Sequence, residues 1–308
     1  MSTSKIKNAM KRLALSIIAL AALSFTVRAQ NYGGAWNTPT ISHSSYPDKI
    51  YFGMTDAYDR RPGIDASTMP AIPGLKYSSC YVLCAKDTCY ARRVVMAVRC
   101  PQKRVLLDWA SKRAALYEVV CCNDPTGKTE PEKVLVVKSA GDICSQYIRR
   151  IEESVRQECL EGGMPGEMNE QSGFLLTDCW QTDKYCTFYQ ATWYDMLSCG
   201  DNTTQAYYSV DKKTGRVATL EDFVPKSRWP ALAEILYKYL KNSSGKLWVD
   251  ENPDRNTFDP METLNDRSGS ALIREGLVIY YFPYAIGGGY EGEIMAVIPH
   301  DKVTKLNH

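Results

Sequence analysis

The spacing of apolar residues changes near residue 160, and this change limits the possible folds more than any other feature of the sequence. Within Ala140–Leu160, apolar residues recur every three or four positions, which predicts an amphipathic helix that Gly162 and Gly163 end. After the helix come short segments rich in Tyr, Thr, Phe and Trp, bounded by turn residues as antiparallel strands are, at 174–180, 185–194 and 205–210. The chain is therefore predicted to be an α+β protein, in which an antiparallel sheet packs against helices in two subdomains.

The same patterns predict further elements. Residues 103–120 have helical composition, and the polar residues at 211–215 favour a hairpin turn. A second amphipathic helix is predicted from Pro230, which suits a first helical turn, to Asn242, with Leu240 in its apolar stripe. The last predictions are a long polar loop at 252–270 and two strands, at 271–284 and 293–299.

The first thirty residues have the composition of an export signal. Four basic residues precede an apolar stretch at 13–27, and a small-residue cleavage site ends at Ala29. We therefore expect a secreted or periplasmic protein with no transmembrane segment after signal cleavage; an uncleaved anchor is the alternative. The expected division is a signal peptide (1–29), an irregular N-terminal arm (30–75), a cysteine-rich α+β domain (76–204) and a C-terminal α+β domain (205–308).

All eleven cysteines lie between residues 80 and 199. In an exported protein this number favours a disulfide framework, whose pairing the sequence does not give, and the odd count leaves at least one thiol unpaired or intermolecular. Zinc is the alternative, but the chain lacks a C-x2-C pair and has only three histidines, so no metal is expected. The disulfide candidates are Cys80, Cys84, Cys89, Cys100, Cys121, Cys122, Cys144, Cys159, Cys179, Cys186 and Cys199.

Composition and glycine spacing argue against nucleic acids and nucleotides as partners. The 37 basic and 35 acidic residues leave a net charge of +2, with no long basic run that would follow a phosphate backbone. The segment FPYAIGGGYEGEIMAVIPH matches a G-x-G-x-x-G dinucleotide pattern at Gly287, Gly289 and Gly292. A strand-like segment follows the last glycine, however, where a dinucleotide site needs a helix. We therefore expect a turn between two strands, and no cofactor.

Four runs in the C-terminal third carry a resemblance to a known family. They are YSVDKKTG (208–215), TLEDF (219–223), GLVIYYFPYAI (276–286) and VIP (297–299). In this order they resemble the RsiV-type C-terminal domain, a domain of unknown function in exported bacterial proteins, over about residues 205–305. Residues 75–204 resemble, less closely, the companion domain that such proteins share with PdaC-type peptidoglycan deacetylases.

The resemblance implies an α+β fold and a binding role outside the membrane, because the best-known member of the family senses lysozyme by binding it. This sequence departs from the family pattern at residues 198–202, where many members have a Gly-Gly-Ala-His turn, and again at the turn after Tyr284. Ala285 stands where the family often has Glu, and residues 287–289 are glycines where it often has Ala-Pro-Tyr. The turn is therefore the first place at which we expect a changed partner.

Aromatic composition also favours binding. Tyr outnumbers Phe 20 to 7, and a tyrosine combines an apolar face with a polar tip, which suits the recognition of sugars and proteins. Because side chains alternate along a strand, Tyr280, Phe282 and Tyr284 are expected to share one face and Tyr281 to lie on the other. The candidate ligand-binding residues are Tyr281, Tyr284, Tyr290 and Glu291.

An enzyme is less well supported by the sequence. No G-x-S-x-G elbow or H-E-x-x-H helix is present, so no catalytic residue is assigned. His300 beside Asp301 suggests a dyad, but adjacent residues on an extended chain point apart. We therefore expect an exported, non-catalytic protein that binds a cell-wall glycan or an extracellular protein such as lysozyme. A carboxylate-based hydrolase of envelope carbohydrate and a structural envelope protein are the alternatives.

Overall fold

A computed structural model of the protein describes residues 74–85, 89–122, 134–160, 168–196, 200–242, 247–248, 259–282, 284–286 and 294–307. The strands within these ranges are β1 (Lys76–Ala85), β2 (Cys89–Arg99), β3 (Met168–Gln181), β4 (Tyr185–Met196), β5 (Gly200–Asp211), β6 (Leu240–Lys241), β7 (Gly269–Ile273), β8 (Gly276–Tyr281) and β9 (Ile294–Pro299). The helices are α1 (Arg104–Cys122), α2 (Ala140–Leu160), α3 (Trp229–Leu236), α4 (Pro260–Asn265) and α5 (His300–Asn307).

Two sheets form the centre of the fold. The first has the strand order β1-β2-β3-β4-β5, and the second has the order β6-β9-β8-β7. Neighbouring strands are antiparallel except for β2 and β3, which are parallel. A parallel pair needs a long crossover connection, and α1 and α2 provide it between these two strands. The predicted α+β class is confirmed, with a mixed first sheet.

Helix α2 begins and ends where the sequence predicts. Its first turn is capped reciprocally, because the Ser139 hydroxyl accepts a bond from the Asp142 N–H (3.1 Å) and the Asp142 carboxylate accepts one from the Lys138 N–H (2.9 Å). The inner face of the helix includes Ile143 and Ile151, which are completely buried against the first sheet. Burial of such a side chain stabilises the fold by about 1.5–3 kcal/mol, so this face fixes the helix on the sheet.

The two sheets face each other across a second apolar layer. Leu175 of the first sheet packs there with Ile273 and Val278 of the second. Polar groups also join the sheets, since Leu272 of the edge strand β7 donates its N–H to the Ser209 hydroxyl (2.9 Å) and accepts a bond from the Thr187 hydroxyl (2.5 Å). These bonds satisfy backbone groups that an edge strand would otherwise leave unpaired.

A third apolar layer lies on the outer side of the second sheet. Helices α3, α4 and α5 cover it through residues such as Leu232, Leu264 and Val303. Every residue of β8 is buried, as expected for a strand with other elements on both faces. From one side to the other, the described residues thus form a helix layer, two sheets and a second helix layer.

Several predicted boundaries are wrong in the C-terminal half. The helix that begins near Pro230 ends at Leu236, and Leu240 is buried in β6 instead. The predicted loop at 252–270 contains α4, which Asp259 caps by accepting the N–H of Met261 at 2.8 Å. The strand predicted at 271–284 is two strands, β7 and β8, separated by a turn at residues 274–275. Helix α5 and the β1–β2 hairpin were not predicted.

Some predictions concern residues that the structure does not describe. These are the signal peptide (1–29), the N-terminal arm up to residue 73, and the glycines at 287–292. The predicted domain boundary at residues 204/205 falls within β5, which is continuous through both positions. A membrane span would need a helix longer and more apolar than any in the described ranges.

Candidate binding surface

Three aromatic residues at the end of β8 become progressively more exposed along the chain. Tyr280 is 4% exposed, Phe282 is 36% exposed and Tyr284 is 80% exposed. They occupy alternate positions in the sequence, but β8 ends at Tyr281, so Phe282 and Tyr284 lie beyond the strand and the prediction that all three share one strand face is wrong. We call Tyr280, Phe282 and Tyr284 the aromatic step, because each ring lies further from the core than the one before it.

The inner end of the aromatic step is anchored in the core. The Tyr280 hydroxyl donates a 3.2 Å bond to the Tyr207 carbonyl of β5, so this side chain reaches across to the first sheet. Its ring also covers Gly269 of β7, where an added Cβ atom would overlap the phenol. The ring centroids of Tyr280 and Phe282 are 5.8 Å apart, a distance typical of favourable aromatic pairs. Phe282 therefore rests on a ring that the fold holds in place.

The outer end of the aromatic step is a turn with unusual backbone geometry. The Phe282 N–H donates to the Ser268 hydroxyl (2.8 Å), and its carbonyl accepts the N–H of Ala285 (3.0 Å), which closes a four-residue turn. Tyr284 occupies the third position of that turn with a φ of 71°. Left-handed φ values favour glycine or asparagine there, and a bulky side chain costs about 1–2 kcal/mol. The structure thus places an exposed tyrosine at a strained position.

The structure separates the predicted ligand-binding residues. Tyr284 is exposed, whereas Tyr281 is completely buried and donates a 2.9 Å bond to the carbonyl of Thr263. Burial raises the pKa of Tyr281, which remains a neutral core residue and is not part of a contact surface. Tyr290 and Glu291 lie outside the described residues. Phe282 belongs to the aromatic step but was not among the predicted ligand-binding residues. Its position two residues before Tyr284 is the sequence signal that could have identified it.

Groups that suggested catalysis are engaged in structural contacts. His300 is the first residue of α5, and its Nε2 lies 3.0 Å from the carbonyl oxygen of Ile273. Asp178, a carboxylate considered for hydrolysis, accepts a 2.8 Å hydrogen bond from the Arg99 guanidinium. Among the described residues, no three His, Cys, Asp or Glu side chains lie together as metal ligands would. These contacts give no support to a catalytic arrangement.

Four of the predicted disulfide candidates are thiols. Cys100, Cys144, Cys179 and Cys186 are not joined in disulfides, so the disulfide prediction is wrong for these four. The thiols of Cys144 and Cys179 instead donate to the carbonyls of Lys76 (3.1 Å) and Thr187 (3.4 Å). Burial raises the pKa of Cys144 and of Cys186 to about 12. These residues behave as small core side chains rather than as reactive groups.

No family model and no curated protein matches the chain. Among solved structures, it is similar to a member of the DUF3298 family from Bacteroides fragilis NCTC 9343, with 12% identity, coverage of 75% of this chain and 92% of that chain, and a TM-score of 0.40. It is also similar to a DUF3298 family protein from Pseudomonas aeruginosa PAO1, with 13% identity, the same coverage and a TM-score of 0.43. DUF3298 designates a domain of unknown function.

Proposed function

We propose that the protein is an exported, non-catalytic binding protein that recognises a cell-wall glycan or an extracellular protein such as lysozyme. The observation that carries this proposal is Tyr284, a residue that is 80% exposed and has a φ of 71°. An exposed aromatic ring with a hydroxyl tip offers stacking and hydrogen bonding to either class of ligand. The aromatic step is the proposed contact surface.

The strain at Tyr284 supports a binding role. A glycine would adopt the same backbone without steric cost, and the Tyr284 side chain is too exposed to add much core stability. A tyrosine therefore occupies a position where its backbone conformation weakens the fold. Such positions are concentrated at ligand contacts, and the anchoring of Phe282 on Tyr280 keeps the neighbouring surface rigid before a ligand arrives.

The sequence supports the exported location and the remaining parts of the proposal. Residues 1–29 have the pattern of a signal peptide. The resemblance of residues 205–305 to the RsiV-type domain adds a precedent for extracellular recognition. The glycines at 287–289 depart from that family's pattern directly after the aromatic step, so this turn is the first place at which contacts to the partner are expected to differ from those of the known member.

Substitution of Tyr284 by glycine tests the proposal, because it is expected to weaken binding without destabilising the fold. Relief of the left-handed strain should leave the free energy of unfolding unchanged or raise it by up to about 1 kcal/mol. Loss of the ring should weaken binding at least about tenfold. Binding is measured by co-sedimentation with peptidoglycan and by biolayer interferometry with lysozyme, in separate arms.

A matched control is Tyr77→Ala in β1, which removes another partly exposed tyrosine far along the chain from the turn. This variant should bind as the wild type does. Wild-type protein that binds neither peptidoglycan nor lysozyme, or a Tyr284→Gly variant with unchanged affinity, would contradict the proposal.

A further inference from the structure

Two cations lie against a single tryptophan ring in the outer helix layer. The Arg267 guanidinium carbon is 4.6 Å from the centroid of the Trp229 ring, and the Lys226 ammonium nitrogen is 5.7 Å from it. The ring is fixed in place, because Trp229 is buried and its indole N–H donates to the Val224 carbonyl at 3.1 Å. It therefore holds two positive charges near each other. We call Lys226, Trp229 and Arg267 the cationic cluster.

The two charges of the cationic cluster are not neutralised by contact with a carboxylate. Within the ranges that the structure describes, neither Lys226 nor Arg267 forms an ion pair with Asp or Glu. Burial lowers the pKa of Arg267 from its ordinary value, and the charges of Tyr281 and Glu221 oppose this effect only in part. The cluster therefore carries positive charge that an anion from outside the protein would neutralise.

The guanidinium of Arg267 is oriented for a further ligand. Its Nη1 atom donates to the Leu264 carbonyl at 2.9 Å, which fixes the side chain on the end of α4. Its Nε and Nη2 atoms have no hydrogen-bond partner in the described part of the chain, and they are not among the buried atoms that lack one, so solvent reaches them. Nε and Nη2 present two parallel N–H groups, which is the arrangement that binds both oxygens of a carboxylate.

The cationic cluster and the aromatic step lie at the same end of the second sheet. Arg267 directly precedes Ser268, whose hydroxyl accepts the Phe282 N–H (2.8 Å) and whose own N–H donates to the Tyr280 carbonyl (2.9 Å). Consecutive Cα atoms are about 3.8 Å apart, so the backbone of Arg267 is one residue away from these two bonds. Both features therefore belong to the end at which β7 begins and β8 finishes.

The small exposed apolar area at this end favours a glycan over a protein as the ligand. A standard protein interface buries about 800 Å² on each partner around a core of large apolar side chains. Of the large apolar side chains that are exposed in the described ranges, only Phe282 and Tyr284 lie in or beside the second sheet. Two rings and one guanidinium instead match a sugar that stacks on a ring and carries an acidic substituent.

We propose that Arg267 and Lys226 bind a carboxylate of the ligand, so that the protein recognises an acidic glycan. This inference rests on the binding role proposed for the aromatic step, and it adds the chemical class of the ligand. The carboxylate accepts hydrogen bonds from Nε and Nη2 of Arg267, and the Lys226 ammonium supplies the second positive charge. The same two cations would repel a cationic protein surface.

The experiment compares peptidoglycan with peptidoglycan whose carboxylates have been converted to amides by a carbodiimide and ammonia. Co-sedimentation with the purified full chain at constant ionic strength measures both affinities. Wild-type protein should bind the amidated material at least about tenfold more weakly, because the charged acceptor is lost.

The other outcomes separate this inference from the proposed function. Equal affinity for both materials would overturn the acidic-glycan inference, whereas the proposed function would stand if Tyr284→Gly still weakens binding. Binding to lysozyme but not to peptidoglycan would likewise overturn only the inference. Binding to neither ligand would overturn both.

Charge-removing variants give a second measurement. Arg267→Gln and Lys226→Gln should each weaken binding to untreated peptidoglycan by about tenfold and remove most of the difference between the two materials. Arg267→Lys keeps the charge without the two parallel N–H groups, so its affinity should lie between those of the wild type and Arg267→Gln. Lys213→Gln, in the exposed turn after β5, is the matched control for net charge and should bind as the wild type does.

A wild-type difference between the two materials that persists in Arg267→Gln would contradict the assignment of the carboxylate to this residue. The comparison of untreated with amidated peptidoglycan needs only the wild-type chain, so a variant that fails to fold leaves the inference open to refutation.

Discussion

The hydroxyl of Tyr281 donates a 2.9 Å hydrogen bond to the backbone carbonyl of Thr263, which ties the buried strand β8 to helix α4. Tyr281→Phe leaves that carbonyl without this donor in an apolar layer. We expect the free energy of unfolding to fall by about 1–3 kcal/mol, measured by urea denaturation. Tyr237→Phe is the matched control, because its hydroxyl contacts the Thr263 side chain from a less buried position (2.8 Å) and its loss should cost less. An equal or smaller effect of Tyr281→Phe would contradict the assignment.

The carboxylate of Asp222 should make stability depend on acid pH. A hydrogen bond from the Arg216 guanidinium, followed by one from the Thr219 N–H (2.8 Å), holds the pKa of Asp222 well below its ordinary value. A lowered folded-state pKa contributes stability that is complete above the unfolded pKa of about 4 and is lost as pH falls towards the folded value. At pH 6, Asp222→Asn should therefore reduce the free energy of unfolding by about 1 kcal/mol.

The difference between wild type and Asp222→Asn should shrink as pH is lowered from 4 to 2, because the Asp222 carboxylate of the unfolded wild-type chain takes up a proton in this range while the folded one stays charged. Denaturant unfolding at a series of pH values measures it. Asp108→Asn provides a control, since the Arg104–Asp108 pair is more exposed on one helix and should contribute less than about 0.5 kcal/mol. A difference that stays constant down to pH 2 would exclude the charged form of Asp222 as the cause.

Substitution by alanine should have opposite effects on the stability of the protein at Gly276 and at Gly141. A Cβ atom at Gly276 would overlap the carbonyl group of Ile298 on the neighbouring strand β9, so Gly276→Ala should destabilise the protein by about 3 kcal/mol or more. At Gly141, in the first turn of α2, the nearest atoms to an added Cβ are 3.6 Å and 3.8 Å away. Gly141→Ala should stabilise by about 0.5 kcal/mol. Thermal denaturation of both variants measures the two effects. A mild destabilisation by Gly276→Ala would contradict the close approach of β8 to β9 at this position.

The thiols of Cys144 and Cys186 should be unreactive in the folded protein. Both are fully buried, and burial raises the pKa of each to about 12, so little thiolate is present at pH 8. Alkylation by iodoacetamide should be at least about 1,000-fold slower than in guanidinium-unfolded protein, as measured by peptide mass spectrometry. Rapid labelling of either residue under native conditions would show that the core opens locally at that site.

Helix α2 could be predicted to the residue because its information is local. Its apolar stripe spans Ala140–Leu160, its cap precedes it and glycines follow it. Helix α3 was predicted too long, because Leu240 continues the apolar spacing although its burial occurs in β6. The turn at residues 274–275 was missed because apolar residues on both sides of it resemble one continuous strand. The local sequence pattern does not show where the chain turns within a long apolar segment.

The parallel pairing of β2 with β3 was not predictable from either strand alone. It depends on how α1 and α2 cross between them, which is a property of packing rather than of composition. The candidate surface was predicted in part, since the alternation of Tyr280, Phe282 and Tyr284 is visible in the sequence. The hydrogen bond from buried Tyr281 to Thr263 depends on the position of α4, and the positive φ of Tyr284 depends on the turn. Only the structure reveals these two features.

The crossover between β2 and β3 also determines the order in which the first sheet can assemble. Strands β3, β4 and β5 pair with neighbours in sequence, so they can associate with little loss of chain entropy. The pairing of Tyr90 with Met168 must wait until both intervening helices are in place. We therefore expect the β1–β2 hairpin to join the sheet last. The rate of that step, rather than the final stability of the sheet, should then determine how long the apolar face of the first sheet stays exposed to other chains.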